Sequence, residues 1–150
     1  MRRDSMKYAP CAPITLLLFG CAISQQVQPL EPLPTKTVCI VENPAVRAGF
    51  LAEYRRSLES LGYAVRILPP EAEPGACVVT STYVARWSWD VTIYLSYAVI
   101  VVYLNGSHAG HATYDSRYGS ANMRKFIDAE PKILELVGEL FPPAADPPAA

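Results

Sequence analysis

The chain has 150 residues, of which 51% are hydrophobic and 18% are charged. This composition allows one domain with a packed core and excludes wholesale disorder. The formal net charge is −1, and without residues 1–20, which hold three basic residues and one acid, it is −3. A mildly acidic chain without a basic cluster argues against a nucleic-acid partner, because phosphate binding needs clustered Lys and Arg.

Residues 1–20 have the pattern of a secretory signal peptide. A basic lead precedes an apolar run over residues 12–20. This run is too short for a membrane span, which needs roughly 20 residues, but it fits the hydrophobic segment of a signal peptide. Met1 and Met6 are both workable initiators, and the sequence leaves this choice open.

The apolar run ends on Leu18-Phe19-Gly20-Cys21. This stretch resembles the bacterial lipobox, in which a leucine, two small residues and the acylated cysteine follow in order. Leu18, Gly20 and Cys21 match the pattern, whereas Phe19 is bulkier than usual. The sequence therefore predicts that Cys21 is acylated and becomes the first residue of the mature protein. The alternative is a cysteine that falls by chance near an ordinary cleavage site.

Acylation of Cys21 implies a location. One acyl chain holds a protein to a membrane only marginally, while two or more make a lasting anchor. The resemblance to other bacterial lipoproteins implies a diacylglycerol and a third, amide-linked chain such as palmitate. Ala22 follows the cysteine, rather than the aspartate that often retains lipoproteins in the inner membrane. We therefore expect the periplasmic face of the outer membrane.

Three segments follow the predicted signal peptide. Residues 21–36 comprise the acylated cysteine and a polar, proline-rich tether, which predicts a semi-rigid spacer with a reach of roughly 45 Å at about 3.1 Å per residue. Residues 37–141 form one predicted periplasmic domain. Residues 142–150 are mainly proline and alanine and predict a disordered tail.

The domain begins with a βαβ pattern. The sequence predicts a strand over Thr37–Val41 and then a helix capped by Asn43, with Pro44 at its first position. The helix is predicted to end at Gly62 and to be followed by a strand over residues 63–68. Its buried stripe at helical spacing consists of Val46, Phe50, Leu51, Tyr54, Leu58 and Leu61.

Three further strands are predicted. Residues 77–89 and 91–104 are rich in β-branched and aromatic residues and contain neither Gly nor Pro, which indicates two strands. Asn105-Gly106 is a type I′ turn signal, so the second of these strands should pair with residues 107–115 as a hairpin.

A second helix closes the domain. Met123, Phe126 and Ile127 lie at its entry, and Asp128 is its predicted cap, since Pro131 is tolerated in a first turn. The order β-α-β-β-β-β-α predicts an α/β (α+β) sandwich with a mainly antiparallel sheet and both helices on one face. The predicted buried stripe of this helix is Ile133, Leu134, Val137, Leu140 and Phe141.

The chain has four cysteines. Cys11 leaves with the signal peptide and Cys21 is acylated, which leaves Cys39 and Cys77. Two remaining thiols in an oxidising compartment predict a disulfide. Metal ligation by the pair is the alternative, which the absence of a CxxC motif or a nearby His pair disfavours. No metal site and no cofactor are predicted.

The polar residues contain no recognisable catalytic arrangement. His108 and His111 have the spacing H-x-x-H on a predicted strand, and strand alternation should send them to opposite faces, so that they do not share a metal. Asp115 and Arg117 are expected to form an ion pair. The serines lack the G-x-S-x-G turn of a hydrolase, and no catalytic residue is predicted.

The aromatic residues of the long strands form the most suggestive pattern. Core packing under the helices accounts for one face of these strands without any function. The other set of side chains is expected to be a partly exposed platform, and apolar patches of this kind mark binding sites. The candidate binding surface consists of Tyr83, Arg86, Trp87, Trp89 and Tyr94.

The domain also contains four distinctive stretches, VCIVENPAVRAGFL, TSTYVARWSWD, IYLSYAVIVVY and FIDAEPKILELVGELFP. Together they span most of residues 37–142 and resemble an uncharacterised family of small proteobacterial lipoproteins, the Sbal-type lipoproteins. The resemblance implies an envelope lipoprotein and no particular activity. The layout is more loosely similar to periplasmic lipoprotein domains that assist envelope transport or assembly.

The sequence thus favours a non-catalytic binding or assembly module that is held to the membrane by its acyl chains. Its expected partner is an envelope protein or further copies of itself. One alternative is a carrier or sensor of small amphiphiles that uses an aromatic sheet face, and a second is a hydrolase without a recognisable motif. A partner surface predicts a flat apolar face, a carrier a cavity of several hundred Å³, and an enzyme convergent polar groups in a cleft.

Overall fold

A six-stranded sheet carries two α-helices on one of its faces. The computed structural model describes residues 23–119, 123–125 and 128–145. The α+β architecture confirms the predicted fold class, and the predicted order of elements is preceded by one further strand. The strands are β1 (Ser24–Gln28), β2 (Thr37–Val41), β3 (Ala64–Leu68), β4 (Val79–Asp90), β5 (Thr92–Leu104) and β6 (Ser107–Asp115); the helices are α1 (Ala48–Ser60) and α2 (Ala129–Leu140), and a 3₁₀ turn covers Met123–Lys125.

The strands lie in the order β1-β6-β5-β4-β2-β3. Strand β2 pairs in parallel with β3 and β4, and the other pairings are antiparallel. The β2-α1-β3 unit therefore forms one side of the sheet, and the β4-β5-β6 meander extends the other. Asn105 and Gly106 have positive φ angles of 50° and 81°, as the predicted type I′ turn of the β5–β6 hairpin requires.

The core lies between the helices and one sheet face. Helix α1 buries Phe50, Tyr54 and Leu58, as predicted. The Tyr54 hydroxyl is hydrogen-bonded to Ser81 Oγ of β4 at 2.6 Å, and burial raises the pKa of Tyr54 far above its ordinary value. This hydroxyl pair therefore fastens α1 to the sheet inside the core. The other main core residues are Val38, Ile40, Ala98, Ile100, Val102, Ile133, Leu136, Val137 and Leu140.

Helix α1 begins later than predicted, at Ala48. The predicted cap, Asn43, uses its side chain differently. Its Oδ1 accepts a hydrogen bond from the N–H of Ala45 at 3.1 Å, and its Nδ2 donates to the carbonyl of Tyr83 at 3.0 Å. Asn43 thus forms a local turn and ties that turn to β4, and the helix starts only after it.

Helix α2 follows Asp128 as predicted, but its buried stripe differs by one residue. Leu136 is buried and Leu134 is half exposed. Leu136 follows Ile133 by three residues and shares its side of the helix, whereas Leu134 points about 200° away from Leu136 and faces outward. Phe126 and Ile127, predicted at the helix entry, lie outside the described residues.

Strand β1 corrects the prediction that residues 21–36 are a free spacer. It pairs antiparallel with β6, with Ser24 opposite Asp115. Leu30 is buried, and its N–H donates to the carbonyl of the last residue of α2 at 2.9 Å. The polar sequence gives no sign of this strand, because an edge strand with one solvated side needs few apolar residues. In β1 only Val27 packs against the core.

A polar network fastens β1 to α2. Lys132 Nζ donates to Gln25 Oε1 at 3.1 Å and to Glu135 Oε2 at 2.7 Å. Gln25 Nε2 donates to Glu135 and to Glu139, both at 2.9 Å. The Lys132 ammonium also lies 5.0 Å from the centre of the Tyr114 ring, and its hydrogen bond to Glu135 holds the pKa of that carboxyl below its usual range. The first strand is therefore bound to the domain through side chains as well as through the sheet.

The predicted tail, residues 142–150, is ordered in its first part. The Tyr63 hydroxyl donates to the carbonyl of Pro142 at 2.7 Å, and the N–H of Ala144 donates to the carbonyl of Leu61 at 2.9 Å. The segment after α2 therefore packs against the end of α1. The last five residues lie outside the described part of the chain.

The predicted disulfide between Cys39 and Cys77 is present. It joins β2 to the segment that precedes β4, on the face opposite the helices. Val41 and Leu68 pack beside it in a small second core. This core and the bridge cover the helix-free face over β2 and β3 only.

Over β4, β5 and β6 no helix of the described residues covers the opposite sheet face, and we call this surface the open face. Its side chains follow from strand alternation and from the register of the three strands. Most of them are half-buried. The open face consists of Thr82, Val84, Arg86, Tyr97, Val99, Val101, Tyr103, His108, His111, Thr113 and Asp115.

Breaking the disulfide should lower the free energy of unfolding by roughly 4 kcal/mol, because the bridge restricts the unfolded chain across a sequence separation of 38 residues. Urea unfolding of the wild type, with and without reductant, measures this loss. The Cys39→Ser/Cys77→Ser double variant should unfold at the midpoint of the reduced wild type. Equal midpoints for the oxidised and reduced wild type would contradict the prediction.

The position of β1 can be tested at Gly110 of β6. A Cβ atom there would lie 2.7 Å from the carbonyl oxygen of Gln28 and 2.9 Å from a methyl group of Leu30, so Gly110→Ala should destabilise the domain by about 1–3 kcal/mol. In the exposed Gly138 of α2 a Cβ meets nothing within 4 Å. Gly138→Ala should therefore stabilise by about 0.5–1 kcal/mol. If both variants unfold at the same urea concentration, β1 does not lie against Gly110.

Candidate binding site

Four strands end, both helices begin and β1 starts at one end of the sheet. Strands β2, β3, β4 and β6 run in one direction, because β2 is parallel to β3 and β4 and β5 is antiparallel to both β4 and β6. Helix α1 follows β2 and helix α2 follows β6, so both helices begin where these strands end. Ser24 lies there too, since β1 is antiparallel to β6. We call this the tip end.

The β4–β5 hairpin projects from the tip end. Strand β6 ends at Asp115, opposite Tyr97, whereas β4 and β5 continue beyond this point. The projecting part exposes Trp89 to 76%, Val91 to 86% and Ile93 to 53%. Val91 has a φ of 61°, in the left-handed region that favours glycine and strains a β-branched residue. A position suited to glycine therefore presents an exposed valine.

A cavity of about 260 Å³ opens beside the hairpin at the start of both helices. Trp87 forms one wall, edge-on to Phe50 at 6.4 Å between ring centroids. The Arg47 guanidinium lies 5.2 Å from the centre of the Trp87 ring, a cation–π contact. Apart from Arg47 and Glu130 the lining is apolar or glycine, so the cavity suits an apolar group with a charged end. Its lining consists of Arg47, Gly49, Phe50, Trp87, Ala129, Glu130 and Ile133.

A second cavity, of about 340 Å³, lies where β2 ends, beside the middle of β4. Tyr83 separates it from the core: its ring stacks on Phe50 at 5.2 Å, and its hydroxyl accepts a hydrogen bond from the N–H of Asn43 at 3.2 Å. Burial raises the pKa of Tyr83. With its ring packed and its oxygen bonded to the main chain, Tyr83 supports the wall of the cavity.

The five residues of the predicted binding surface lie in four different places. Tyr83 and Tyr94 are buried, Trp87 lines the first cavity, and Trp89 is exposed on the hairpin. Arg86 lies on the open face. Alternation along β4 separates Arg86 from Trp87. The register shift between them leaves Ser96 as an extra residue of β5, and this bulge places Tyr94 on the face of Tyr97 instead of that of Ala98.

Arg47, Val91 and Ile93 belong to this end and were not singled out from the sequence. Arg47 lies between Val46 and Phe50 of the predicted buried stripe and carries no signal of its own. Val91 and Ile93 belong to the apolar stretch that predicts the strand over residues 91–104. The absence of Gly, Asn or Pro at this turn was the one available sign, because a tight turn without them has an unusual conformation.

The expected ion pair between Asp115 and Arg117 is present, with N–O distances of 2.6 and 3.0 Å. Hydrogen bonds from Arg117 hold the pKa of Asp115 below its ordinary value. The guanidinium also lies 4.3 Å from the centre of the Tyr97 ring. The pair fixes the chain where it leaves β6 at the tip end.

The prediction that His108 and His111 lie on opposite faces is wrong. The pairing of β5 with β6 shifts next to Tyr103, so that Ala109 is an extra residue in β6. This β-bulge restores His108 to the face of His111. Their ring centroids are 5.5 Å apart.

Other chemical features can be stated only for the described residues. Among them, no three His, Cys, Asp or Glu side chains are grouped to hold a metal. No helix in residues 23–119, 123–125 and 128–145 is long and apolar enough to cross a bilayer. Cys21 lies outside these ranges, so its acylation stays a prediction.

Comparison with solved structures identifies the same fold at low sequence identity. A dodecamer of a PelC variant from Paraburkholderia phytofirmans matches with a TM-score of 0.55 and 17% identity, over 81% of this chain and 99% of that chain. A PelC dodecamer from the same organism matches with a TM-score of 0.54 and 17% identity, over 78% and 98%. No protein-family model and no curated protein matches the chain. The likeness at this identity concerns the fold.

Proposed function

We propose that this protein is a lipid-anchored, non-catalytic assembly module of the outer membrane, and that it acts as a homo-oligomer with its tip end against the periplasmic surface of the bilayer. Cys21 is the proposed anchor. The lipobox and the resemblance to the Sbal-type lipoproteins support the compartment.

The proposal rests on the position of the first described residues, Ile23 and Ser24, which follow the proposed anchor. Ile23 is two residues after Cys21, and Ser24 lies at the tip end. Two residues of extended chain reach only roughly 7 Å. An acyl group on Cys21 would therefore enter the bilayer beside the projecting hairpin.

The surface composition of the tip end supports the same orientation. Most of the exposed large apolar side chains of the described residues lie in the hairpin or in the segment between β6 and α2. Trp and Tyr favour the membrane–water interface, and buried apolar area strengthens interfacial binding. These exposed side chains are Trp89, Val91, Ile93, Tyr118 and Met123.

The homo-oligomer rests on the open face and on the structural neighbours. Both PelC neighbours are dodecamers. The open face of this chain presents Val84, Val99 and Val101 in a row across β4 and β5, and Val84 is 43% exposed. A flat apolar face of this kind suits a second copy or an envelope protein better than a small molecule.

One observation favours a second function, the carriage of a small amphiphile. The cavity at the tip end has an apolar lining that includes Trp87 and Ile133, with Arg47 placed to bind an anionic group. Its volume of about 260 Å³ is below that of most ligand pockets, which hold roughly 300–1,000 Å³. We therefore rank it second.

Tryptophan fluorescence separates these two functions, because the chain has only two tryptophans. The acylated Trp87→Phe variant reports on Trp89, and the matched Trp89→Phe variant reports on Trp87. In vesicles with brominated acyl chains we expect Trp89 to be quenched by half or more and Trp87 to change little. Quenching of Trp87 alone would instead favour the carrier.

The anchor itself is tested by growth of a Gram-negative host with a clickable fatty acid. The wild-type chain should be labelled, and the Cys21→Ser variant should not. A labelled Cys21→Ser variant, or a mature wild-type chain without fatty acid in its mass spectrum, would refute the anchor. An acylated chain whose Trp89 is not quenched would refute the orientation only.

Oligomerisation is tested by a charge on the open face. Val84→Lys places an ammonium in the row of valines and should shift the protein towards the monomer in native mass spectrometry. Leu134→Lys is the matched control, because Leu134 is 50% exposed on the outer side of α2. A monomeric wild type, or the same shift in both variants, would show that the open face is not the contact.

A further inference from the structure

We infer that His108 and His111 together bind a divalent transition-metal ion on the open face. They are the only histidines of the chain, and a β-bulge at Ala109 brings them to one side of β6. Bulges are features that re-aim side chains, often next to functional sites. Regular pairing beyond the Asn105-Gly106 turn would have separated the two rings.

The distance between the rings fits a shared ion. Their centroids are 5.5 Å apart and their planes are inclined by 48°. With a metal–nitrogen distance of about 2.0–2.1 Å and tetrahedral angles, two imidazoles on one ion have ring centres roughly 5 Å apart. A small rotation of either side chain closes the difference.

The neighbours of the pair restrict the rings and leave them accessible. The Tyr103 ring meets His108 edge-on, at 6.4 Å and 89°, which limits the rotation of that imidazole. His111 is half-buried and lies opposite Gln28 of β1. A ligand whose rotamer is held by packing loses little entropy when the ion binds.

The ligand set determines which ion is expected. Among the described residues no third His, Cys, Asp or Glu completes the group, so water occupies the remaining positions. Imidazole suits Zn²⁺, Cu²⁺ and Ni²⁺, and Cu²⁺ binds most strongly in this series. Two imidazoles and water make an exchangeable site, unlike a closed structural zinc site with four protein ligands.

This site is independent of the membrane proposal. The pair lies beside the β5–β6 turn, at the end of the sheet opposite the tip end. An ion there would face away from the proposed membrane surface, and neither the anchor nor the hairpin contributes a ligand. The site does share the open face with the proposed contact between copies, since His111 pairs with Val101, so metal binding is measured on the isolated monomer as well as on any oligomer.

Copper titration of the full chain tests the inference, with protein purified without a polyhistidine tag. Electron paramagnetic resonance should show one Cu²⁺ per chain with two imidazole nitrogens, which only His108 and His111 can supply. His108→Asn and His111→Asn should each weaken binding on the order of 100-fold, since each removes the second, intramolecular ligand. Their spectra should show one nitrogen.

The controls make each result decisive. Thermal unfolding of both variants without metal should match the wild type, which separates a lost ligand from a lost fold. Wild-type affinity in either single variant would overturn the inference. So would tight binding in the His108→Asn/His111→Asn double variant, or a wild-type spectrum with fewer than two imidazole nitrogens.

Discussion

Helices α1 and α2 bury one face of the sheet, α1 through Phe50, Tyr54 and Leu58. The widths of the helix layer and of the sheet explain why the other face stays open. Six strands about 4.8 Å apart make a sheet roughly 24 Å wide. Two packed helices, each about 10 Å across, cover nearly this width. Both helices cover one face, so within the described residues the opposite face is covered only by the disulfide and its loop, over β2 and β3. The open face is therefore a consequence of the element count.

The direction of the helices has a second consequence. Each helix packs on the sheet, so it begins at the end where the preceding strand stops and runs back along the sheet. Here α1 and α2 follow strands that run in the same direction, so the segments that enter both helices meet at the tip end. Arg47, Trp87 and Ala129 come together there although they are far apart in the sequence.

Local signals predicted most of this fold. Helical spacing predicts the helices, β-branched runs predict the strands and Asn105-Gly106 predicts a turn, each from a few neighbouring residues. The disulfide was predicted from the number of remaining cysteines and the expected oxidising compartment. The two bulges act differently, because one extra residue reverses the face of every side chain beyond it. The bulge at Ala109 therefore caused the error at His108 and His111, and the extra Ser96 of β5 moved Tyr94 away from the face of Ala98. No pattern in the sequence marks either shift.

Strand β1 escaped prediction for a different reason, and it changes the relation between the anchor and the domain. Its residues are polar because its place at the sheet edge exposes them, and its order comes from β6 and from the buried Lys132. A free spacer would have held the domain roughly 45 Å from an acylated Cys21. With β1 in the sheet, only Ala22 and Ile23 separate that cysteine from the first strand. The proposed anchor at Cys21 would then leave the domain little freedom to turn, and the end of the sheet that carries Ser24 would be the end that meets the lipid.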